Sequence, residues 1–236
     1  PSVARSVPKT ELHIKLQGAR FRSLNEKLYV SSSNEAMQYF KNDPTEFERY
    51  HEGFRQQTCS WPTNPVDMFI ERIRGQKQAK LVIADMGCGD AAIASAFELD
   101  ANIKVHSFDL VANNSHVTVA SMTKVPLADA SIDIVVFCLA LMNTDYADAL
   151  REARRILRPG TGQLWIAEVA SRFANGPSGD TLRDFRAGLE AGGFRVTKCT
   201  AHEGYFVSIY ARLLPNKECH GSFTMPPLRA CVYKRR

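Results

Sequence analysis

Between residues 81 and 109 the sequence sets acids and glycines at spacings that belong to a nucleotide-type cofactor. The apolar run Leu81-Val82-Ile83-Ala84-Asp85-Met86 leads into Gly87-Cys88-Gly89-Asp90-Ala91-Ala92. A buried strand that turns through two glycines into a helix leaves backbone amides and a helix N-terminus facing whatever lies above the strand ends. Asp109 closes a second apolar run 20 residues after Gly89, the place of a ribose-binding acid. Taken alone, Gly87-x-Gly89-x-x-Ala92 also satisfies a dinucleotide fingerprint.

The flanking acids separate the two possibilities. Asp85 and Asp90 would stand beside a pyrophosphate that is itself anionic, and like charges a few ångströms apart cost on the order of a kcal/mol or more each at effective dielectrics of about 20. S-adenosylmethionine carries no phosphate. Its sulfonium and α-ammonium are cationic and suit an acid-lined turn, and Asp109 can accept both ribose hydroxyls. Cys88 in the turn and Cys138 at the end of a later apolar run fall on the same rim. The expected cofactor is therefore S-adenosylmethionine, left as S-adenosylhomocysteine.

Elements to position this site are written along the chain. Asp43-Pro44-Thr45-Glu46 and Asn64-Pro65-Val66-Asp67 each place a capping side chain before a helix-starting Pro. Phe47, Tyr50 and Phe54 follow the first at helical spacing. The opening forty residues are polar with helical patches, Leu24–Leu28 and Asn34–Phe40. We expect residues 1–78 to form a helical N-terminal cap and substrate-binding extension, and residues 79–236 the cofactor-binding domain. In the latter, short apolar runs at Leu81–Met86, Lys104–Asp109, Val117–Ala120, Ile132–Cys138 and Gln163–Val169 alternate with helix-length segments, including Tyr146–Leu157. That alternation predicts an α/β, Rossmann-like fold: a mostly parallel seven-stranded sheet with helices on both faces. Phe194–Thr200 and Tyr205–Leu213 predict an antiparallel hairpin, Ala230–Lys234 an edge strand, and Asn175–Gly179 a mobile loop.

Of 236 residues, 44% are hydrophobic, enough for a core without staples. The six cysteines lack zinc-type C-x-x-C spacing, so no metal is expected, and a reducing compartment is the default. The longest apolar run, Ile134–Met142, is too short to span a bilayer, and no signal-peptide layout opens the chain. The net charge of +5 is concentrated at the ends: six basic residues against Glu11 and Glu26 in the first 30, and Arg229, Lys234, Arg235 and Arg236 in the last eight. A slightly acidic body with two basic ends suits a phosphate-backbone partner.

Asp85-Met86-Gly87-Cys88-Gly89 with Asp109 resembles the class I methyltransferase signature. Further stretches narrow the likeness: Leu16-Gln17-Gly18-Ala19-Arg20-Phe21-Arg22-Ser23-Leu24-Asn25-Glu26-Lys27-Leu28-Tyr29, Tyr50-His51-Glu52-Gly53-Phe54, Trp61-Pro62, Phe137-Cys138-Leu139-Ala140-Leu141-Met142, Glu168-Val169-Ala170-Ser171-Arg172-Phe173 and Tyr233-Lys234-Arg235-Arg236. Together they resemble the nucleolar ribosomal-RNA-processing, nucleomethylin-like methyltransferases, from Lys15 nearly to the last residue. The resemblance implies N1-methylation of an adenosine in large-subunit ribosomal RNA, residence in the nucleus and nucleolus, and the pre-ribosome, with chromatin-associated proteins, as partners. It places cofactor contacts on His51, Gly87, Asp109, Met122 and Cys138; Leu110, next to Asp109, joins the set. Where the family has an Asp before the Met, this chain has Ser121, so a hydroxyl replaces a carboxylate acceptor.

Adenine N1 is unprotonated at neutral pH and needs no general base, so alignment is the main catalytic task. A paired target must be unpaired and flipped. The acceptor pocket is expected above the fourth and fifth strands, with Asn143, Asp145, Glu168 and Arg172 as candidate catalytic residues, Ser171 beside them and Phe173 to stack on the base. Asp145 reads equally well as a helix N-cap, and Glu168 also reads as a structural residue. Phosphate contacts are expected from Arg20, Arg22, Lys27, Lys234, Arg235 and Arg236. The core by itself does not identify an acceptor, so a small-molecule methyltransferase and a silent S-adenosylmethionine-binding scaffold stay open on sequence alone.

Overall fold

The computed structural model describes residues 9–77, 80–174, 179–215 and 223–231. Its centre is one seven-stranded sheet in the order β3-β2-β1-β4-β5-β7-β6. The strands are β1 (Leu81–Met86), β2 (Ile103–Asp109), β3 (Val117–Val119), β4 (Ile134–Cys138), β5 (Gln163–Val169), β6 (Phe194–His202) and β7 (Phe206–Leu213). The first five are mutually parallel. β7 runs antiparallel to β5 and closes a hairpin with β6, which turns through Glu203 and Gly204, both at positive φ. The strand order reverses direction between β1 and β4, and such a switch point opens a crevice at the carboxyl ends of the strands.

Both faces of the sheet are covered. On one, α4 (Pro65–Arg74) and the short α5 (Ala92–Ala96) pack Phe69, Ile70, Ile73 and Ile93 against Ile83, Ile134 and Trp165. On the other, α6 (Tyr146–Ile156) and α7 (Thr181–Ala191) pack Leu150, Ala153, Phe185 and Leu189 against Val135, Phe137 and Ile166. The packing of α4 makes it part of the sheet's own core, although it precedes residue 78.

A separate cluster forms the cap. α1 (Lys9–Tyr29), α2 (Ser33–Asn42) and α3 (Pro44–Thr58) bury Phe21, Leu24, Leu28, Phe40, Phe47 and Tyr50 among themselves, with Leu110, Val111 and Met142 of the sheet side against them. The capping signals act as expected: Asp43 accepts from the Thr45 amide at 3.1 Å and Asn64 from Val66 at 3.3 Å, and Ser32 and Glu35 form a capping box at the start of α2. Of the two helical patches expected before residue 40, Asn34–Phe40 is α2, and Leu24–Leu28 belongs to a 21-residue helix. At Gly53 a Cβ would lie 2.6 Å from Phe21 Cβ, so that glycine lets α1 and α3 close on each other.

Residues 223–231 cross the molecule without regular structure. Gly188 leaves room for Met225, whose Sδ would be 2.7 Å from an added Cβ. The expected edge strand is not formed at Ala230 and Cys231, and its remainder lies outside the described residues, as do residues 175–178 of the expected loop. Backbone groups there go elsewhere: Arg229 N–H donates to the Arg172 carbonyl at 3.1 Å, and the Cys231 carbonyl accepts from Asn25 Nδ2 at 2.9 Å.

Candidate active site

A cavity of about 250 Å³ lies between the carboxyl ends of β1, β2 and β4 and the helices of the cap. Its floor is the glycine turn. Gly87 and Gly89 have φ of 73° and 56°, a region open to glycine at little cost. A Cβ at Gly87 would lie 2.6 Å from Ala140 Cβ, and one at Gly89 3.2 Å from His51 Cε1. The Asp109 carboxylate ties the turn to β2, accepting the Gly89 and Leu110 amides at 2.7 Å each. A carboxylate has about four lone-pair sites, so it keeps acceptor capacity toward the cavity.

The floor is anionic. Asp85 and Asp109 both line it, Asp85 buried and Asp109 half-buried. Burial, with Asp109 nearby, pushes the Asp85 carboxyl up to about 7. Burial likewise raises the Cys88 and Cys138 thiols, so neither is an activated nucleophile. Asp90 is committed elsewhere: both its oxygens meet Arg55 Nη1 at 3.1 Å, Oδ1 accepts from Asn113 at 2.8 Å, and Arg55 also pairs with Glu48. Burial holds the His51 imidazole below its usual range, and its ring packs 4.2 Å from Phe47. The buried Asp85 and half-buried Asp109 beside a neutral His form a site for a cation, and a pyrophosphate would meet repulsion there.

The roof comes from the cap. Phe40, Phe47, Tyr50 and Phe54 line the cavity with Met142, and the Tyr50 hydroxyl donates to Met142 Sδ at 3.2 Å. Sequence reading assigned these aromatics only to a helix face. Their helical spacing was visible, but nothing local says that the face looks onto the strand ends. Leu139, with φ of 58°, also lines the cavity and starts the loop that carries Met142 and Asn143.

The structure brings His51, Asp85, Gly87, Cys88, Gly89, Asp109, Leu110, Met122 and Cys138 around this one cavity. Ser121 is not among its lining residues; its hydroxyl pairs with Thr123 Oγ1 at 2.7 Å. Asn143 does line it, buried, with Nδ2 donating to the Leu28 and Ser31 carbonyls at 3.3 and 3.2 Å.

The structure places the other acceptor-side residues away from the cavity lining. Glu168 and Arg172 are each 1% exposed, paired at 2.8 Å, and neither lines the cavity. Both grip Leu141 instead: Glu168 Oε1 accepts its amide at 2.9 Å and Arg172 Nη2 donates to its carbonyl at 2.7 Å. Asp145 accepts from the Ser33 amide and hydroxyl at 2.8–3.0 Å, so it caps neither its own helix nor the cavity. Phe173 packs on Phe185 within the core, and Ser171 is exposed.

Two phosphate-binding expectations also change. Arg20 pairs with buried Glu46 across α1 and α3, and Lys27 Nζ sits 3.4 Å from the centroid of the Tyr39 ring, so both hold the cap together. Lys234, Arg235 and Arg236 lie outside the described residues. No group of three or more potential metal ligands occurs among the described residues.

The chain is similar to known methyltransferases. A family model described as a hypothetical methyltransferase matches residues 7–236. The chain is 44% identical to the 25S rRNA (adenine(645)-N(1))-methyltransferase of Schizosaccharomyces pombe, covering 94% of this chain and 70% of that protein. It is 41% identical to ribosomal RNA-processing protein 8 of Arabidopsis thaliana (95% and 77% covered) and 42% identical to that of Rattus norvegicus (94% and 46%). Among solved structures, Burkholderia thailandensis 1,6-didemethyltoxoflavin-N1-methyltransferase, solved with S-adenosylhomocysteine, superposes with a TM-score of 0.58 at 18% identity over 78% of this chain and 91% of that one. The [4+2]-cyclase SpnF superposes at 0.52, also with 18% identity, over 64% and 81%; both likenesses concern the fold alone. Matched nearly end to end by the family model and at 41–44% identity by these relatives, the chain belongs to the methyltransferase family of the ribosomal RNA-processing protein 8 proteins.

Proposed function

We propose that the chain methylates N1 of an adenosine in large-subunit ribosomal RNA, using S-adenosylmethionine. The observation that carries this reading is the pairing of an anionic, glycine-turned floor with a neutral aromatic roof in one cavity; the relatives' names supply the acceptor. The reading brings with it nucleolar residence, a pre-ribosomal partner and, through the same resemblance, chromatin-associated proteins.

The floor fits the cofactor by charge. S-adenosylmethionine supplies an electrophilic methyl group on a sulfonium. Asp109 would accept from its ribose hydroxyls while its backbone bonds keep the carboxylate in place, Asp85 would face its ammonium, and Gly87 and Gly89 let the backbone approach closely. His51, neutral against Phe47, gives the floor an edge without adding positive charge.

On the acceptor side Asn143 is the positioned polar group. Its nitrogen is used by the end of α1, which orients its oxygen as an acceptor for the exocyclic amino group of adenine. Tyr50, Phe54 and Met142 offer an apolar wall against which a base can lie. No side chain has to remove a proton from N1, so these residues work by holding the base in line and excluding water, which can supply roughly 7–11 kcal/mol of the barrier. The test is primer extension on large-subunit rRNA incubated with the protein and S-adenosylmethionine. A new stop that depends on the protein and disappears on chemical conversion of N1-methyladenosine supports the reading; transfer of label to no RNA at all would refute it.

A further inference from the structure

A line of aromatic rings leads from the roof of the cavity to the surface. Tyr50 and Phe54 line the cavity and lie stacked, with ring centroids 6.3 Å apart. Phe54 meets Trp61 at 5.6 Å, Trp61 meets Phe206 at 4.9 Å, and Phe206 meets Tyr205 at 6.4 Å. Tyr205, in the turn between β6 and β7, is 43% exposed. The far end of this line stands on the acceptor side. Phe206 pairs with Val169 at the carboxyl end of β5, and Leu139 of the cavity wall donates its amide to Ala167 of the same strand. At about 4.8 Å per strand, Phe206 is roughly 10 Å across the sheet from the exit of β4.

Trp61 is in the middle of the line and outside the cavity lining. It belongs to the loop between α3 and α4, whose flanks do line the cavity, Thr58 on one side and Asn64 and Val66 on the other. That loop is firmly held. The Trp61 amide donates to the Thr58 carbonyl at 3.1 Å, Ser60 Oγ donates to the Gln57 carbonyl at 2.8 Å, and Asn64 caps α4. The indole is half-buried. Phe54 and Phe206 meet it edge to face, at interplanar angles of 83° and 68°, so among the described residues no aromatic ring is stacked on it. A broad apolar plane thus sits fixed at the rim of the cavity with its stacking capacity unused by another ring.

Extruding an adenine takes one stacking partner away from the base next to it, and unstacked bases of RNA are held well by aromatic side chains because every base has a π-face. Resting on the ribosomal-RNA reading, we propose that Trp61 stacks on a base adjoining the target adenine and so positions the acceptor strand at the cavity mouth. The target base lies against the wall that includes Tyr50 and Phe54, and Trp61 stands one ring further out, 5.6 Å from Phe54, where a strand leaving the cavity heads toward Tyr205 and solvent. The occupant is a nucleobase and not a phosphate. The surface is aromatic, and Arg55, the one Lys or Arg among the residues lining the cavity, is already engaged by Glu48 and Asp90.

The protein has two tryptophans, and Trp165 is fully buried, so quenching of tryptophan emission by a stacked base reports Trp61. The probe is a short single-stranded segment of large-subunit rRNA centred on the adenosine located by primer extension. It should quench the emission of the unaltered protein. Trp61→Leu should abolish the quench and raise KM for the segment about tenfold, the scale of one base on one ring, with S-adenosylhomocysteine affinity unchanged; Trp61→Phe should recover much of the loss. In the unaltered protein, an abasic site in place of one of the two bases adjoining the adenosine should cost a similar factor, and in Trp61→Leu the same abasic site should add less than about twofold, as two halves of one contact require. Should Trp61→Leu also weaken S-adenosylhomocysteine binding, the indole is needed for packing, and the abasic comparison in the unaltered protein decides by itself. No quench, a quench that survives in Trp61→Leu, or abasic segments on either side used as well as the intact one overturns the proposal alone. If the unaltered protein methylates no adenosine of the rRNA, the ribosomal-RNA reading fails and the proposal falls with it.

Discussion

The floor and the roof of the cavity are built by opposite means. The floor is made by backbone: two glycines at positive φ and, 20 residues on at the end of the adjoining strand, a carboxylate that holds one of them by a backbone hydrogen bond. The roof is made of side chains from α2 and α3, joined to the sheet by long-range contacts such as Tyr50 to Met142. A floor of this kind is stiff because backbone conformation fixes it. A roof of this kind can be re-shaped one side chain at a time. The difference suits a protein that binds one small cofactor below and a large, irregular acceptor above.

The largest effect on this arrangement should come from the joint between the two regions. Glu168→Ala leaves Arg172 buried without its partner, and breaking such a pair costs about 3–5 kcal/mol. Denaturant unfolding should show that loss, and because both residues hold Leu141, methyl transfer should fall even at temperatures where the variant stays folded. A loss below about 1 kcal/mol would mean that the pair does not join floor to roof.

Next comes the floor itself. Asp109→Ala removes charge-assisted bonds worth about 1.5–3 kcal/mol each, so cofactor affinity by calorimetry should drop ~100-fold while the protein remains folded. Unchanged affinity would remove the ribose from the place given to it.

Acidity offers a finer probe. A cation binds better to ionised Asp85, whose carboxyl is pushed up to about 7, so cofactor affinity should weaken up to about tenfold per unit as pH falls below that value. Asp85→Asn should flatten the profile. The same raised pKa means that the folded, cofactor-free protein holds a proton which the unfolded chain releases above about pH 4. Stability should thus decline as pH rises toward about 7, and the Asn variant should escape that decline. A pH-independent affinity in the unaltered protein would contradict the cationic site.

The smallest effect belongs to the roof. Tyr50→Phe loses one weak O–H donor to sulfur, about 1 kcal/mol or less. Cofactor affinity should remain within about threefold, with the change appearing in the rate of transfer to RNA. A cofactor loss as large as that of Asp109→Ala would erase the distinction between the two regions.

What the sequence disclosed follows the same division. β1 and β5 have the predicted bounds, because a continuous apolar run between turn signals is a local statement. The glycine turn and Asp109 were legible for the same reason. Glu168, Arg172 and Asp145 looked like acceptor-site chemistry because their types and their position after strand ends fit it. Their partners Leu141 and Ser33 are 27, 31 and 112 residues away, and no local pattern reveals which polar residue a fold will use as a buried clamp. Arg20 and Lys27 were counted as free charge for the same reason: Glu46 and Tyr39 reach them only once the helices have packed.

Leu139 shows where such a fold places its discomfort. A branched side chain in the left-handed region costs of order 1–3 kcal/mol, and here it is tolerated where the chain leaves β4 and enters the cavity wall, with its amide on the Ala167 carbonyl at 2.8 Å. Glycine would relax that bend and give a sturdier protein, yet it would take away a wall residue and loosen the turn that presents Asn143. The molecule forgoes easy robustness at this bend, and a thermostabilised relative carrying glycine there would be expected to turn over more slowly.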